Sequence, residues 1–114
     1  MQKDPNCIFC KIVARDIPAA TLLEAQDFIA IADINPQAPH HMLVMPKEHI
    51  ANISEMTDTN LTGRLFEAAC QLAKQVNLDN GFRLVVNTGS DGGQTVDHLH
   101  VHVLGGRTLG WPPG

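Results

Sequence analysis

The stretch Asp97-His98-Leu99-His100-Val101-His102-Val103-Leu104 alternates histidine with an aliphatic residue at period two. Successive side chains of an extended chain point to opposite faces. His98, His100 and His102 therefore share one face, and Leu99, Val101 and Val103 share the other. The aliphatic face can bury against a helix, whereas the histidine face must look into a polar cavity or onto a ligand. Same-face neighbours on a strand lie about 6.8 Å apart and the outer pair roughly 13 Å. One metal ion can take two of these imidazoles from a straight strand, but hardly all three. Imidazole also attacks phosphorus or carbonyl carbon, and it shuttles protons near neutral pH.

The loop before this segment decides among those chemistries. Asn87-Thr88-Gly89-Ser90-Asp91-Gly92-Gly93-Gln94-Thr95 holds three glycines with amide and hydroxyl donors. Glycines let backbone N–H groups turn inward as an anion nest. No Gly-Lys-Ser/Thr follows, so it is not a P-loop, and it lacks the dinucleotide fingerprint. Beside a histidine strand it reads as a phosphate pocket in which one imidazole faces the phosphorus.

The remaining chain reads as helix, strands, helix, strands. Pro5-Asn6 can start a short helix with Asn6 capping and Ile8, Ile12 and Val13 on one face, ended by Asp16-Ile17-Pro18. Residues 21–24 and 28–33 read as strands, Asn35 to Pro39 as a loop, and His41 to Met45 as a strand stopped by Pro46. Residues 58–76 carry Leu61, Leu65, Ala68, Leu72 and Val76 at spacings of three and four, with Thr57 or Asp58 able to cap. Cys70 falls among Ala and Leu and reads as core. Asn80-Gly81 marks a turn, Phe82 to Asn87 a strand, and Val96 to Leu104 the histidine strand. The pattern predicts an α+β fold on a mostly antiparallel sheet with one long and one short helix.

Composition narrows the function. The 114 residues make one domain, are 44% hydrophobic and 18% charged, and carry a net charge of −4. That is a folded globule rather than a disordered chain. An acidic chain with no basic run is poorly suited to binding a nucleic-acid backbone, so no specific nucleic acid is expected. With four Phe, one Trp and no Tyr, base stacking is not its method. No apolar stretch reaches the ~18 residues of a membrane helix, and the polar start lacks a signal-peptide core. A cytoplasmic location with reduced Cys7, Cys10 and Cys70 is expected.

The sequence resembles a known family at these residues. His98-Leu99-His100-Val101-His102-Val103-Leu104 matches the His-x-His-x-His-x-x pattern of the histidine triad (HIT) superfamily. Cys7-Ile8-Phe9-Cys10, Asp33-Ile34-Asn35-Pro36-Gln37-Ala38-Pro39, His41, Gly92-Gly93-Gln94 and Trp111-Pro112-Pro113-Gly114 resemble its Hint branch of purine nucleoside phosphoramidases. The resemblance implies one HIT domain over residues 1–114, pairing as a homodimer. It implies a purine nucleoside 5′-phosphoramidate hydrolase, with aminoacyl adenylates as further substrates and AMP or GMP as the nucleotide. In that scheme His100 is the nucleophile, forming a covalent nucleotidyl-histidine. His102 contacts the phosphate and leaving group and helps transfer a proton to the departing amine, His41 joins a histidine hydrogen-bond relay, and His98 orients the strand or a relay partner. Asp33 binds the ribose hydroxyls; Ile34, Phe9 and Ile12 line the base pocket; Asn87, Gly93 and Thr95 hold phosphate oxygens. Trp111 lies on a tail that reaches the partner's site. On spacing alone Phe9 and Ile12 read as core rather than ligand pocket, and Asp33 as a turn former.

No cofactor is required for this chemistry, because imidazolium charge and the nest stabilise the transition state. The Cys7/Cys10 pair is open between a redox dithiol, two packed thiols and half a zinc site. Relatives that keep the pair complete a structural zinc site, here with His49 and His98, and His98 would then be a ligand. Two alternatives stand: a dinucleoside polyphosphate hydrolase, and a nucleotide-binding regulatory module with little catalysis.

Overall fold

The computed structural model describes residues 3–114. In chain order they form helix α1 (Ile8–Val13), strands β1 (Thr21–Glu24), β2 (Phe28–Ala32) and β3 (His40–Pro46), and a 3-10 turn (Ile53–Glu55). Helix α2 (Thr59–Gln75) and strands β4 (Phe82–Val85) and β5 (Val101–Gly105) follow. The five strands make one sheet in the order β1-β2-β3-β5-β4, and every pairing is antiparallel. The last strand thus enters between β3 and β4 and leaves β4 at an edge. This is the expected α+β architecture.

Helix α2 forms where the sequence predicts. The Asp58 carboxylate accepts the Leu61 N–H at 3.0 Å, closing the first turn. Leu61, Leu65, Ala68, Ala69, Leu72 and Ala73 are buried as one stripe. Cys70 is exposed, contrary to the expected core position. It sits 100° round the helix from Ala69 and leaves the stripe. The helix ends at Gln75 with Val76 as its cap, and the positive φ of 58° at Asn77 lets the Leu78 N–H reach back to the Ala73 carbonyl at 2.9 Å.

Helix α1 departs from expectation at both ends. Cys7, not Asn6, is its cap: the sulfur accepts the Cys10 N–H, while the Asp4 side chain takes the Asn6 N–H at 2.9 Å. The helix stops at Val13 because Arg15 turns left-handed at φ 64°, before the Ile17-Pro18 breaker. Its buried residues are Phe9 and Cys10, with Ile12 and Val13 packed beside them; Ile8 faces solvent.

The sheet buries both faces, which explains the uninterrupted apolar runs of β2 and β3. Phe28, Ala30, Met42, Val44, Leu99, Val101 and Val103 meet α2. Ile29, Ile31, Leu43 and Met45 meet Cys7, Phe9 and Cys10. Registers Leu43↔His102 and His41↔Leu104 put His41 and His102 on this second face.

Strands β4 and β5 are shorter than the alternation predicts. Pairing to β5 begins only at Val101 from β3 and at His102 from β4. Before it, the Leu99 N–H leaves the ladder and donates to the Ile50 carbonyl at 2.7 Å. The alternation still holds along residues 98–100, because Leu99 stays under α2 while His98 and His100 are buried on the opposite side. Among the described residues no helix is long and apolar enough to cross a membrane.

Candidate active site

The imidazoles of His100, His102 and His41 meet on the α1 face of the sheet. Ring centroids of His100 and His102 are 4.9 Å apart, and those of His41 and His102 5.1 Å. Phe9 is buried and sets its edge against His100 at 5.1 Å and His98 at 5.8 Å. A residue of α1 therefore packs against the imidazoles at their base.

Hydrogen bonds fix each tautomer. His100 Nδ1 lies 2.7 Å from the His98 carbonyl, an acceptor only, so Nδ1 carries the proton and Nε2 keeps a lone pair. His41 Nδ1 accepts the Gln37 N–H at 3.0 Å, so its proton sits on Nε2. That N–H donates to His102 Nδ1 at 2.8 Å, while Asp33 Oδ2 lies 3.3 Å from the same nitrogen without a hydrogen bond. His102 is left with Nε2 for a ligand. Because Gln37 occupies the far side of His41, the His41–His102 contact orients a ring but passes no proton onward.

Burial holds His100 and His102 neutral. It lowers His102 to about 4, with His100 and His41 adding to the effect and Asp33 partly opposing it. It lowers His100 too, against the pull of the His98 carbonyl and Asp33. A neutral imidazole with a free Nε2 is a nucleophile at neutral pH.

This has a consequence for stability. Imidazoles of the unfolded chain gain protons below about pH 6.5, whereas native His102 stays neutral to about 4. Between those values the unfolded state binds more protons, so stability is full above pH 6.5 and declines as pH falls toward 4. His102 is only partly buried, so solvent screening leaves its share at roughly 1–2 kcal/mol over that window. Urea unfolding is expected to show a lower midpoint at pH 4.5 than at pH 7, and His102→Gln is expected to narrow the gap. An equal gap in both proteins would contradict neutral burial.

A second cluster lies behind the first. Cys7 Sγ is 3.3 Å and Cys10 Sγ 3.6 Å from His98 Nδ1, and Cys10 Sγ is 3.4 Å from His49 Nδ1. All four donor atoms fall within 4.8 Å of one another. A tetrahedral zinc with bonds of about 2.3 Å to sulfur and 2.0–2.1 Å to nitrogen needs ligand separations near these. His98 Nε2 donates to the Pro46 carbonyl at 2.8 Å, which leaves Nδ1 as the lone pair toward the thiols. The donor set fits zinc. The trio Asp33, His41 and His102 also converges within 4.8 Å, but its chemistry does not fit a cation. Metal at His41 Nε2 would force the proton to Nδ1, against the Gln37 N–H.

The other expected site residues are spread around the face. Asp33 follows β2; its Oδ1 accepts the Asn35 N–H at 2.8 Å, a turn contact, while Oδ2 faces His41. Asn87 Nδ2 donates to the Gly92 carbonyl at 2.7 Å within the glycine loop, Gly93 adopts φ 76°, and Thr95 is exposed. Ile12 packs with the α1 cluster, whereas Ile34 and Trp111 are 96% and 84% exposed. Three contributors had no assigned role. Gln94 braces the loop, donating to the Ala51 and Val96 carbonyls and accepting the Gly89 N–H. The Gln37 N–H and the Pro46 carbonyl are backbone groups, which carry no residue-type signal.

A HIT domain family model matches residues 14–109. An uncharacterized HIT-like protein of Synechococcus elongatus is 50% identical over 111 residues, 96% of this chain and 97% of the relative. The crystal structure of a HIT family hydrolase from Legionella pneumophila superposes with a TM-score of 0.93 at 46% identity, covering 96% of this chain and all of that one. A histidine triad nucleotide-binding protein from Candida albicans gives 0.83 at 32% identity over 94% of this chain and 83% of its own.

Proposed function

The chain belongs to the HIT domain family, and we propose that it is a purine nucleoside 5′-phosphoramidate hydrolase working through a nucleotidyl-His100 intermediate. One observation carries the reading: His100 Nδ1 is tied to the His98 carbonyl, so Nε2 is an unprotonated, aimed nucleophile. A solved relative is named a hydrolase and another a nucleotide-binding protein, which supports the class.

In this reading His100 Nε2 attacks the α-phosphorus. The new P–N bond to His100 forms as the P–N bond to the amine breaks, and the departing nitrogen takes a proton from His102 Nε2. His102 Nε2, the nitrogen not engaged by His41, faces the phosphate and leaving group; the phosphate's negative charge favours a proton on this ring. Water then attacks phosphorus and returns a proton to His102 Nε2, the P–N bond to His100 breaks, and a nucleoside monophosphate departs. Asp33 receives the ribose hydroxyls. Ile34, Phe9 and Ile12 line the base side, and Asn87, Gly93 and Thr95 hold phosphate oxygens. The exposed Ile34 suits a residue that awaits a ligand.

Incubation with adenosine 5′-phosphoramidate and, separately, diadenosine polyphosphate tests the reading. Turnover of the first is expected. Turnover of the second alone would instead make the protein a dinucleoside polyphosphate hydrolase, and tight AMP binding without turnover a regulatory module.

The glycine loop supplies a further expectation. A Cβ at Gly92 would overlap the Thr88 carbonyl oxygen and lie 2.8 Å from the Thr88 nitrogen. Backbone cannot yield there as a side-chain tip can. Gly92→Ala is expected to weaken AMP binding about tenfold or more, measured by calorimetry, with little change in adenosine binding. Equal losses for both ligands would contradict a phosphate role for the loop.

Zinc held by Cys7, Cys10, His49 and His98 would anchor α1 to the histidine segment as a structural ion. The chain acts as one HIT domain and pairs as a homodimer. Exposed Phe82 on edge strand β4 and exposed Trp111 support the pairing. Light scattering is expected to give close to twice the 12.4 kDa chain mass; a monomer at micromolar protein would reject it. A cytoplasmic location completes the proposal.

A further inference from the structure

The hydrogen at His41 Nε2 depends on a backbone group that the C-terminal segment holds. His41 Nδ1 accepts the Gln37 N–H at 3.0 Å, and Nε2 donates to His102 Nδ1 at 2.8 Å. Gln37 lies in the loop between β2 and β3, outside the sheet ladder. Within that loop the Asn35 N–H donates to the Asp33 carboxylate, and the Gln37 side chain to the Asn35 carbonyl at 3.1 Å. The Gln37 carbonyl is held from elsewhere: it accepts from Arg107 Nη2 at 2.9 Å, across 70 positions of sequence. Arg107 Nη1 also donates to the Thr108 carbonyl at 3.2 Å, which steadies the guanidinium. Gly106, at φ 96°, lies so close to the loop that a Cβ there would come within 2.8 Å of Pro39 Cβ. The chain leaving β5 therefore rests on the loop at Pro39 and reaches over it to Gln37.

We propose that Arg107 is a positioning residue: by holding the Gln37 carbonyl it keeps the Gln37 N–H on His41 Nδ1, and so keeps a hydrogen on His102 Nε2. The tautomers follow one from the next. A Gln37 N–H at His41 Nδ1 requires a lone pair there, so the neutral ring carries its hydrogen at Nε2. His102 Nδ1 accepts that hydrogen, so neutral His102 carries its own at Nε2, toward the leaving nitrogen. Once Gln37 swings away, no donor requires a lone pair at His41 Nδ1. The reversed pair, with His102 Nδ1 donating to His41 Nε2, then becomes available, and it leaves His102 Nε2 without hydrogen. A guanidinium donating to a carbonyl is a charge-assisted hydrogen bond, stronger than a neutral one. Arg107 is exposed, so water competes for the carbonyl and the effect is moderate. The leaving nitrogen in this inference rests on the proposed phosphoramidate reading; the tautomers stand on the free protein alone.

Nitrogen-15 NMR through two-bond correlations reports which imidazole nitrogen bears hydrogen. The samples are the protein as purified, Arg107→Ala, and Arg107→Lys, which keeps a cationic donor. Wild type is expected to show the Nε2–H form of both His41 and His102. Arg107→Ala is expected to show His102 averaging two tautomers, and Arg107→Lys to return toward the wild-type spectrum. Turnover supplies a second readout. Adenosine 5′-phosphoramidate needs a proton on its leaving nitrogen, whereas the p-nitrophenyl ester of AMP expels a stable phenolate without one. Arg107→Ala is expected to lower kcat about fivefold to tenfold for the first substrate and less than about twofold for the second, the scale of one charged hydrogen bond. Wild-type tautomers in Arg107→Ala would overturn the proposal, and so would equal kcat losses on the two substrates. If wild type turns over neither substrate, the hydrolase reading fails, and the spectra of the free variants still decide the role of Arg107.

Discussion

His100→Ala is expected to lower phosphoramidate turnover by about 10⁴-fold or more, with KM changed far less. The loss follows from the chemistry assigned to that ring. Without Nε2 no covalent intermediate forms, and water must attack the phosphoramidate directly. His102→Ala is expected to lose less, about 10²- to 10⁴-fold, because it assists proton transfer and charge stabilisation without bonding to phosphorus. The folded state is expected to survive the first change. His100 makes one side-chain hydrogen bond, to its own neighbour's carbonyl, and its ring packs on Phe9 and His102 at the sheet surface. Its removal opens space on the ligand side rather than in the core under α2. Steady-state kinetics with thermal unfolding on the same samples separates the two effects. Turnover within tenfold of wild type in folded His100→Ala would contradict a nucleophilic role.

The second large effect concerns the Cys7, Cys10, His49 and His98 cluster. Purified protein is expected to carry close to one zinc per chain, and a chelator is expected to lower Tm by roughly 15 °C, equivalent to about 4 kcal/mol. Burial argues for this size. His98 is fully buried, and burial lowers it to about 4 and raises the Cys7 thiol above its ordinary range. A cation in contact with the sulfurs reverses the cost of ionising them. Such an ion would also join Cys7 and Cys10, at the start of α1, to His49 and His98 far along the chain, and its loss would loosen the covering of one sheet face. Cys7→Ser is expected to match the chelated protein in metal content and Tm. Cys70→Ser, altering an exposed thiol on α2, is expected to change neither. Zinc-free purified protein whose Tm ignores the chelator would contradict the metal assignment. Because the His98 carbonyl holds His100 Nδ1, metal removal is also expected to reduce turnover.

Much of this arrangement was legible in residue order, for identifiable reasons. Period-two alternation separated Leu99, Val101 and Val103 from the three histidines, and that division survives even where residues 98–100 leave the ladder. The Leu61–Leu72 stripe and the Asp58 cap defined α2 because helix burial and capping depend on spacing and residue type. Cys70 was misplaced because apolar neighbours in sequence are not neighbours on a helix face. The alternation predicts a longer β5 than forms, because side-chain alternation reports an extended backbone, whereas the ladder needs a partner strand, and the Leu99 N–H finds Ile50 instead. The tautomers of His41 and His98 depend on the Gln37 N–H and the Pro46 carbonyl. Every residue carries a backbone carbonyl and every non-proline residue an N–H, so only the folded chain selects these two. The pairing of Cys7 and Cys10 with His98 was suggested by family resemblance, and the fold brings them to contact distance across 91 and 88 positions.

The most direct test stops a reaction with adenosine 5′-phosphoramidate within milliseconds, quenches it in base to preserve the P–N bond, and maps the adduct by peptide mass spectrometry. The account predicts a single adenylyl group on the peptide containing His100, absent from His100→Ala. An adduct on any other residue, or full turnover by a variant that lacks this ring, would contradict it.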